Sequence, residues 1–322
     1  MLVESPLKLN EDEVRTFSEK YIMSLESEYI GWYNILKNTP AETRVRASAN
    51  KPFNSPDLLA AYPNPKVLEA GCGPYPAGSI SPDEGHNISV TSCDVLAVAY
   101  GVLHSLFGLT PYAGIDFSFV ERLTDRYGEN SFDIVRMSNA LDHSYDPFTG
   151  IFEMLKVTRV GGTLRLYHYE NEAERELEYG MHQWNITSDG PDSMVIWRKG
   201  LRAEMRDILG KSVRLKTTIL TEKRSAKGEE SARIIQTDFL KLDDIQTPTK
   251  KGMNIFDESM LTFCLMKSSP RFTSAFRKSL GYNPFRKSMF RRMIAYAPMS
   301  LRKYVPSWLE TLVRNTARRI GY

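Results

Sequence analysis

Behind Asn10, apolar side chains recur at Val14, Phe17, Tyr21, Leu25, Tyr29, Trp32 and Leu36, three or four residues apart. That spacing lines one face of an α-helix. Asn10 and Glu13 have the form of a capping box at its start, and the helix should end near Pro40. The stretch 38–65 is rich in Pro, Asn, Ser and Ala and reads as a connection, with a short helix over Pro56 to Tyr62. From Lys66 the period changes. Short apolar runs over Lys66 to Ala70, Ile88 to Asp94, Phe132 to Met137, Thr163 to Tyr169, Val213 to Ile219 and Leu261 to Lys267 predict strands. Helical segments fall between them, notably Pro147 to Thr158, which runs into the turn Gly161-Gly162. Such alternation predicts an α/β domain with a doubly wound, mostly parallel sheet covered on both faces. Trp184 to Trp197, with Asp189-Gly190-Pro191-Asp192 in its middle, reads as a hairpin inserted after the fourth strand.

The last segment differs in kind. Phe285, Met289, Phe290, Met293, Ile294 and Ala297 form an apolar stripe with Arg286, Lys287, Arg291 and Arg292 beside it. After Pro306 a Ser307-x-x-Glu310 capping box opens a second helix, with Trp308, Leu309, Leu312, Val313, Ala317 and Ile320 on one side and Arg314, Arg318 and Arg319 on the other. Residues 270–322 hold 12 Lys or Arg against the single acid Glu310, a net +11, while the remainder carries 30 basic and 38 acidic residues, a net −8. The chain therefore divides into an N-terminal helical lid and connection (1–60), an α/β domain (61–268) and a basic amphipathic tail (269–322). Three readings of the tail stand side by side: an anchor on an anionic membrane surface, a helical cap on the acidic body or on a second subunit, and a nucleic-acid contact, which lacks a recognisable binding module.

Composition excludes several classes. With 42% hydrophobic and 25% charged residues in 322, the chain is neither disordered nor fibrous. The three cysteines, Cys72, Cys93 and Cys264, are odd in number and scattered, with no zinc or disulfide spacing, and no metal ligands are assigned. The start has no cationic segment followed by an apolar run, and no stretch of about 18 apolar residues occurs. A cytoplasmic location is expected, at the inner face of the membrane if the tail is an anchor.

Candidate chemistry begins at Val67-Leu68-Glu69-Ala70-Gly71-Cys72-Gly73-Pro74, a strand running directly into a glycine turn. Glycines there permit φ > 0 and let a ligand approach the backbone. Glu69 lies at the strand's carboxyl end, where open parallel sheets bind ligands. Asp94 ends the next apolar strand about 20 residues beyond the glycine turn, where a carboxylate can accept both ribose hydroxyls of a nucleoside. No GxxxxGK[ST] loop is present, and the third glycine of a dinucleotide fingerprint is replaced by Pro74-Tyr75-Pro76-Ala77-Gly78. The acids favour a nucleoside and disfavour a phosphate.

VLEAGCG, the strand-terminal Asp94, Asp116-Phe117 before SFDIVRMSNALDHSYDP, and the later VGGTLRLYHYE together resemble the class I methyltransferases over about residues 60 to 268. The resemblance implies a seven-stranded sheet finished by an antiparallel strand, and S-adenosyl-L-methionine as cofactor. It further implies that Glu69, Gly71 and Gly73 line the methionine and ribose side, that Asp94 holds the ribose, that Asp116 and Phe117 contact the adenine, and that Asn139 lies beside the methionine. The Pro-Tyr-Pro insertion after Gly73 departs from the pattern.

The acceptor side should come from later strand ends. His143 and His168 are candidate general bases near neutral pH. Asp142, Glu170, His182 and Trp184 offer polar groups and an aromatic plate suited to a saccharide or another hydroxylated small acceptor, in the extreme a lipid-linked one. The run Glu170, Glu172, Glu174, Glu176 and Glu178 also reads as a solvated helix face. Two alternatives remain open: an RNA methyltransferase using the tail, although Asn139-Ala-Leu-Asp replaces the tetrapeptide of amino-methylating families, and a non-catalytic cofactor-binding partner subunit.

Overall fold

The computed structural model describes residues 11–49, 53, 55–77, 88–111, 113–223 and 231–245. These lie in the unit Met1–Ile255. Asn10 of the expected capping box, the expected strand at Leu261 to Lys267 and the whole basic tail fall outside the described residues.

A long helix, α1 (Glu11–Asn38), is followed by α2 (Ala41–Ala49) and α3 (Pro56–Ala61). The sheet then alternates strand and helix: β1 (Lys66–Ala70), β2 (Ser89–Asp94), α4 (Ala97–Phe107), β3 (Asp116–Phe117), α5 (Leu123–Tyr127), β4 (Phe132–Ser138), α6 (Pro147–Val157) and β5 (Thr158–Tyr169). After α7 (Glu172–Arg175) come β6 (Asn185–Thr187), β7 (Val195–Arg198), β8 (Leu201–Glu204), α8 (Met205–Leu209), β9 (Val213–Lys223) and β10 (Ser231–Lys241).

Seven strands form one sheet in the order β3-β2-β1-β4-β5-β10-β9, parallel except for β10, which runs antiparallel between β5 and β9. The expected doubly wound, mostly parallel seven-stranded sheet with an antiparallel strand is thus observed. The order reverses between β1 and β4, so the loops leaving their carboxyl ends diverge and open a crevice. Strands buried on both faces must be apolar throughout. Accordingly Val67, Leu68, Ile134 and Val135 are fully buried: α6 packs Phe148, Ile151, Phe152 and Leu155 into one core with Leu68 and Val135, while Val67 and Ile134 pack with Leu58 and Leu59 of α3 in another.

The antiparallel strand is β10 at 231–241, a segment left unassigned by its sequence pattern. Its buried positions include Thr237 and Lys241 as well as Ile235 and Phe239, and a lysine in a core register hides the apolar alternation. Lys241 is tolerated because its ammonium donates to Thr158 O and Asn130 Oδ1, each at 2.8 Å, and neighbours Asp244. The expected hairpin is present as β6 and β7, and β8 adds a third antiparallel strand.

Gly161-Gly162 does not end a helix. The helix α6 stops at Val157, and the glycines lie in a bend within β5, where the register to β4 shifts. A Cβ on Gly162 would sit 2.7 Å from Asp133 O and 2.9 Å from Arg159 O, both rigid backbone atoms. Gly162→Ala should therefore destabilise the protein by at least about 2 kcal/mol in a denaturant titration, whereas Gly190→Ala, where nothing lies within 4 Å, should change it little.

Candidate active site

The crevice is floored by the β1 turn. Gly71 (φ 63°) and Gly73 (φ 66°) both adopt left-handed backbone. A Cβ on Gly71 would lie 2.7 Å from Ala140 Cβ, so the turn after β1 and the turn after β4 touch where the strand order reverses. Only glycine meets both conditions.

Asp94 joins the first two strand ends. Its Oδ2 accepts from Gly73 N at 3.0 Å and its Oδ1 from Leu96 N at 2.8 Å. Burial pushes its pKa up to about 6, against the downward pull of those two amides. Glu69 is equally buried, and its Oε2 accepts from Ala77 N at 2.6 Å and from Ser92 Oγ at 3.5 Å. This contact explains the Pro74-Tyr75-Pro76 insertion: the stiff segment folds back so that the Ala77 amide caps the strand-end carboxylate. His104 on α4 fixes the same loop through Pro74 O at 2.6 Å.

At the sheet edge Asp116 receives the Tyr127 hydroxyl at 3.0 Å and pairs with Arg126 at 2.5 Å. Phe117 stands edge-on to Phe119 with ring centroids 5.6 Å apart. Asn139, in left-handed backbone (φ 50°), ends β4; its amide donates to Tyr167 O and its Oδ1 accepts from Tyr169 N at 3.4 Å.

The acceptor side is organised by Asp142, which follows β4 and is buried. Its Oδ2 lies 2.7 Å from His182 Nδ1 and 3.6 Å from His143 Nε2, and the two imidazole nitrogens are 3.2 Å apart. Burial pushes Asp142 up, but the two histidines outweigh it and hold its carboxyl below the usual range. For His182 burial acts downward, and the Asp142 hydrogen bond and charge raise the pKa on balance. The side chains of His143 and His182 are 16% and 22% exposed, so both remain partly accessible.

Other expected site residues lie elsewhere. His168 is 1% exposed, its ring nitrogens have no hydrogen-bond partner, and burial drops its pKa to about 4. Trp184 is 0% exposed; its Nε1 donates to Ser144 O at 3.0 Å, its ring stands edge-on to Phe148, and Arg198 covers its face. It is a core pillar rather than a plate facing an acceptor. Glu170 accepts from Thr187 Oγ1 at 2.6 Å and pairs with Arg233. Of the acidic run, only Glu172–Arg175 is helical, and Glu172 is buried.

The helix α1 contributes residues that sequence reasoning placed only on an apolar stripe or passed over. Ser24 Oγ donates to Gly180 O at 2.7 Å, Tyr21 stands edge-on to Tyr145, and Trp32 packs on Gly73 and Tyr75. Glu28, bonded to Trp32 Nε1 at 2.8 Å, lies close enough for its charge to act on both Asp94 and His182. One helix therefore spans both halves of the crevice. Its spacing marked a lid, but nothing in the sequence paired Glu28 with residues 66 and 154 positions away.

No protein-family model and no curated protein sequence matches the chain. Among solved structures it is similar to a Burkholderia thailandensis 1,6-didemethyltoxoflavin-N1-methyltransferase bound to 1,6-didemethyltoxoflavin and S-adenosylhomocysteine (16% identity, 75% of this chain, 94% of that chain, TM-score 0.38). It is similar also to a putative methyltransferase of Haloferax volcanii in complex with a methyltransferase activator (13%, 69% and 99%, 0.42), and to the cyclase SpnF (14%, 58% and 78%, 0.35). A shared fold does not fix a reaction. The fold itself is defined by the strand order, a doubly wound, mostly parallel sheet whose order reverses between β1 and β4.

His168 has a consequence for acid stability. Its folded pKa of about 4 lies below its unfolded value of about 6.5, so the unfolded chain binds the extra proton and stability falls as pH drops through that window. Between pH 7 and pH 5 this group should remove about 2 kcal/mol from the unfolding free energy. His168→Gln should show that much less acid sensitivity in urea titrations at the two pH values.

Proposed function

We propose that the chain is an S-adenosylmethionine-dependent methyltransferase acting on a hydroxyl oxygen of a saccharide or other small hydroxylated acceptor. The observation that carries the cofactor is the buried Asp94 carboxylate at the crevice formed by the left-handed Gly71 and Gly73 turn. A cradle that only glycine can build, beside an acid at the end of the second strand, fits an uncharged ribose and an adenine better than a phosphate. In this reading Asp94 accepts the ribose hydroxyls, Gly71, Gly73 and Asn139 bound the methionine end, Phe117 and Asp116 flank the base, and Glu69 holds the loop in shape through Ala77.

Bound there, S-adenosylmethionine would supply an electrophilic sulfonium methyl for the acceptor oxygen. The chain's own task is alignment, for which orientation alone is worth about 7 to 11 kcal/mol, and removal of the hydroxyl proton. His182, oriented by Asp142, and His143 beside it are the groups that receive it; in the cation-free protein the proton moves from the acceptor O–H to an imidazole nitrogen and then to water. This reading uses His143 and His182 rather than the buried His168, and leaves Trp184 to the core.

The tail, residues 269–322, is proposed as a peripheral anchor at the inner membrane face, bringing a lipid-linked acceptor within reach. Its support is compositional: +11 of net charge interleaved with Trp and Phe. Among the described residues no helix is long and apolar enough to cross a membrane.

Calorimetry with S-adenosylhomocysteine tests the cofactor. Wild type should bind, and Asp94→Ala should bind about a hundredfold more weakly, two charge-assisted hydrogen bonds being lost. Because only the ionised carboxylate accepts both hydroxyls, affinity should fall about tenfold from pH 7 to pH 5, through the Asp94 pKa of about 6. Equal binding by Asp94→Ala would remove the assignment. For the tail, flotation with anionic liposomes should recover the full chain and leave behind a chain ending at residue 269; equal recovery would remove the anchor.

A further inference from the structure

The side chains of Asp142, His143 and His182 converge on the acceptor side of the site. Their ligand-capable atoms, Asp142 Oδ2, His143 Nε2 and His182 Nδ1, all lie within 4.8 Å of one another, with separations of 2.7, 3.2 and 3.6 Å. From these contacts we infer that the three residues form a seat for one divalent first-row transition cation. They would act as three protein ligands, with further positions open toward the crevice.

Geometry supports the seat first. Three atoms each about 2.1 Å from a common cation stand about 3.0 Å apart at octahedral angles and about 3.4 Å apart at tetrahedral ones. The observed separations bracket those values. Only the 2.7 Å Asp142–His182 contact must open, by about half an ångström, as a hydrogen bond gives way to two bonds to a metal.

Proton counting supports it second. His182 Nδ1 faces both a carboxylate oxygen and the His143 nitrogen, and a ring nitrogen carries either one proton or one lone pair. One proton there aims well at only one of the two, whereas a cation draws on all three lone pairs together. Asp142 Oδ1 is buried with no hydrogen-bond partner, so one of the two carboxylate oxygens is left unsatisfied by the protein alone.

Field and access complete the case. Buried Glu172, itself paired with Arg175 at 3.0 Å, acts electrostatically on both Asp142 and His182, and Glu28 of α1 adds a second negative charge acting on His182. The partial exposure of both histidines leaves an entry path. Two imidazoles with one carboxylate suit zinc, iron(II) or cobalt(II) rather than magnesium or calcium, which take oxygen ligands. The sequence assigned no metal here because His182 lies 39 residues from His143, far outside any ligand-spacing pattern.

The catalytic meaning of the site, though not the binding itself, rests on the proposed function. A cation at this place lowers the pKa of an acceptor hydroxyl that binds it, replacing the imidazole in that task. The test uses the full chain, stripped with chelator and dialysed against Co2+ as probe. Wild type should take up one Co2+ per chain and develop a ligand-field absorption that excess Mg2+ does not remove. His143→Asn and His182→Asn should each bind Co2+ at least about tenfold more weakly, and the double variant should lose the absorption. Asp142→Asn, nearly isosteric, should also weaken binding at least tenfold if either histidine variant fails to fold by circular dichroism. Asp94→Ala should retain Co2+ while losing S-adenosylhomocysteine, which separates failure of the metal site from failure of the cofactor reading. Wild-type uptake no greater than that of a folded double variant would overturn the inference.

Discussion

Two backbone amides donating to one buried carboxylate hold this site together. Asp94 ends β2, yet its oxygens receive Gly73 N from the turn after β1 and Leu96 N from the entry to α4. Removing that carboxylate from water is costly, which is why its pKa rises toward 6 even with two donors aimed at it. The arrangement survives because the parallel register fixes β1 beside β2 over five residue pairs, Lys66 with Ser89 through Ala70 with Cys93, so the two strand ends cannot separate. The crevice is in this sense a property of the sheet, and the acid at its edge is held ready by backbone rather than by other side chains.

The same logic recurs on the acceptor side with histidine as the partner. Asp142 leaves β4, the strand on the other flank of the switch point, and its charge is balanced by two imidazoles that arrive from different distances in sequence. His143 is its neighbour. His182 reaches it only because the chain after β5 turns back through α7 and a loop in which Leu177 and Glu178 both adopt positive φ. Non-glycine residues in that region are strained and persist only where surrounding contacts hold them. Here the holding contacts include the Ser24 hydroxyl donating to Gly180 O and the Gln183 backbone amide donating to Asp142 O. Local backbone strain thus coincides with the delivery of a histidine to a buried acid.

Much of the fold could be read along the chain. Lys66 to Ala70 declares itself as a continuous run because both its faces are buried, and Val213 onward and the long helix with Trp32 and Leu36 by period, because one buried face demands it. The strand 231–241 does not, since Lys241 and Thr237 occupy core positions and are satisfied by partners more than 80 and about 20 residues away, Thr158 O and the Thr217 hydroxyl. Gly161-Gly162 was legible as a turn but not as a bend inside a strand, because the reason for Gly162 is the approach of Asp133 O from β4.

For the site, the one-dimensional record determined which chemistry was on offer: an acid at each of two adjacent strand ends, glycines where a ligand approaches backbone, and no phosphate loop. Those follow from residue type and from spacing within one βα unit, which sequence order preserves. Tertiary structure decided which side chains meet. It sent Trp184 and His168 into the core, committed Glu69 to the Ala77 amide, laid Glu28 over both halves of the crevice, and gathered polar atoms of Asp142, His143 and His182 within 4.8 Å of one another. The physical reason is that burial and long-range pairing depend on how strands are ordered across the sheet, and that ordering is cooperative over the whole domain rather than encoded at any one position.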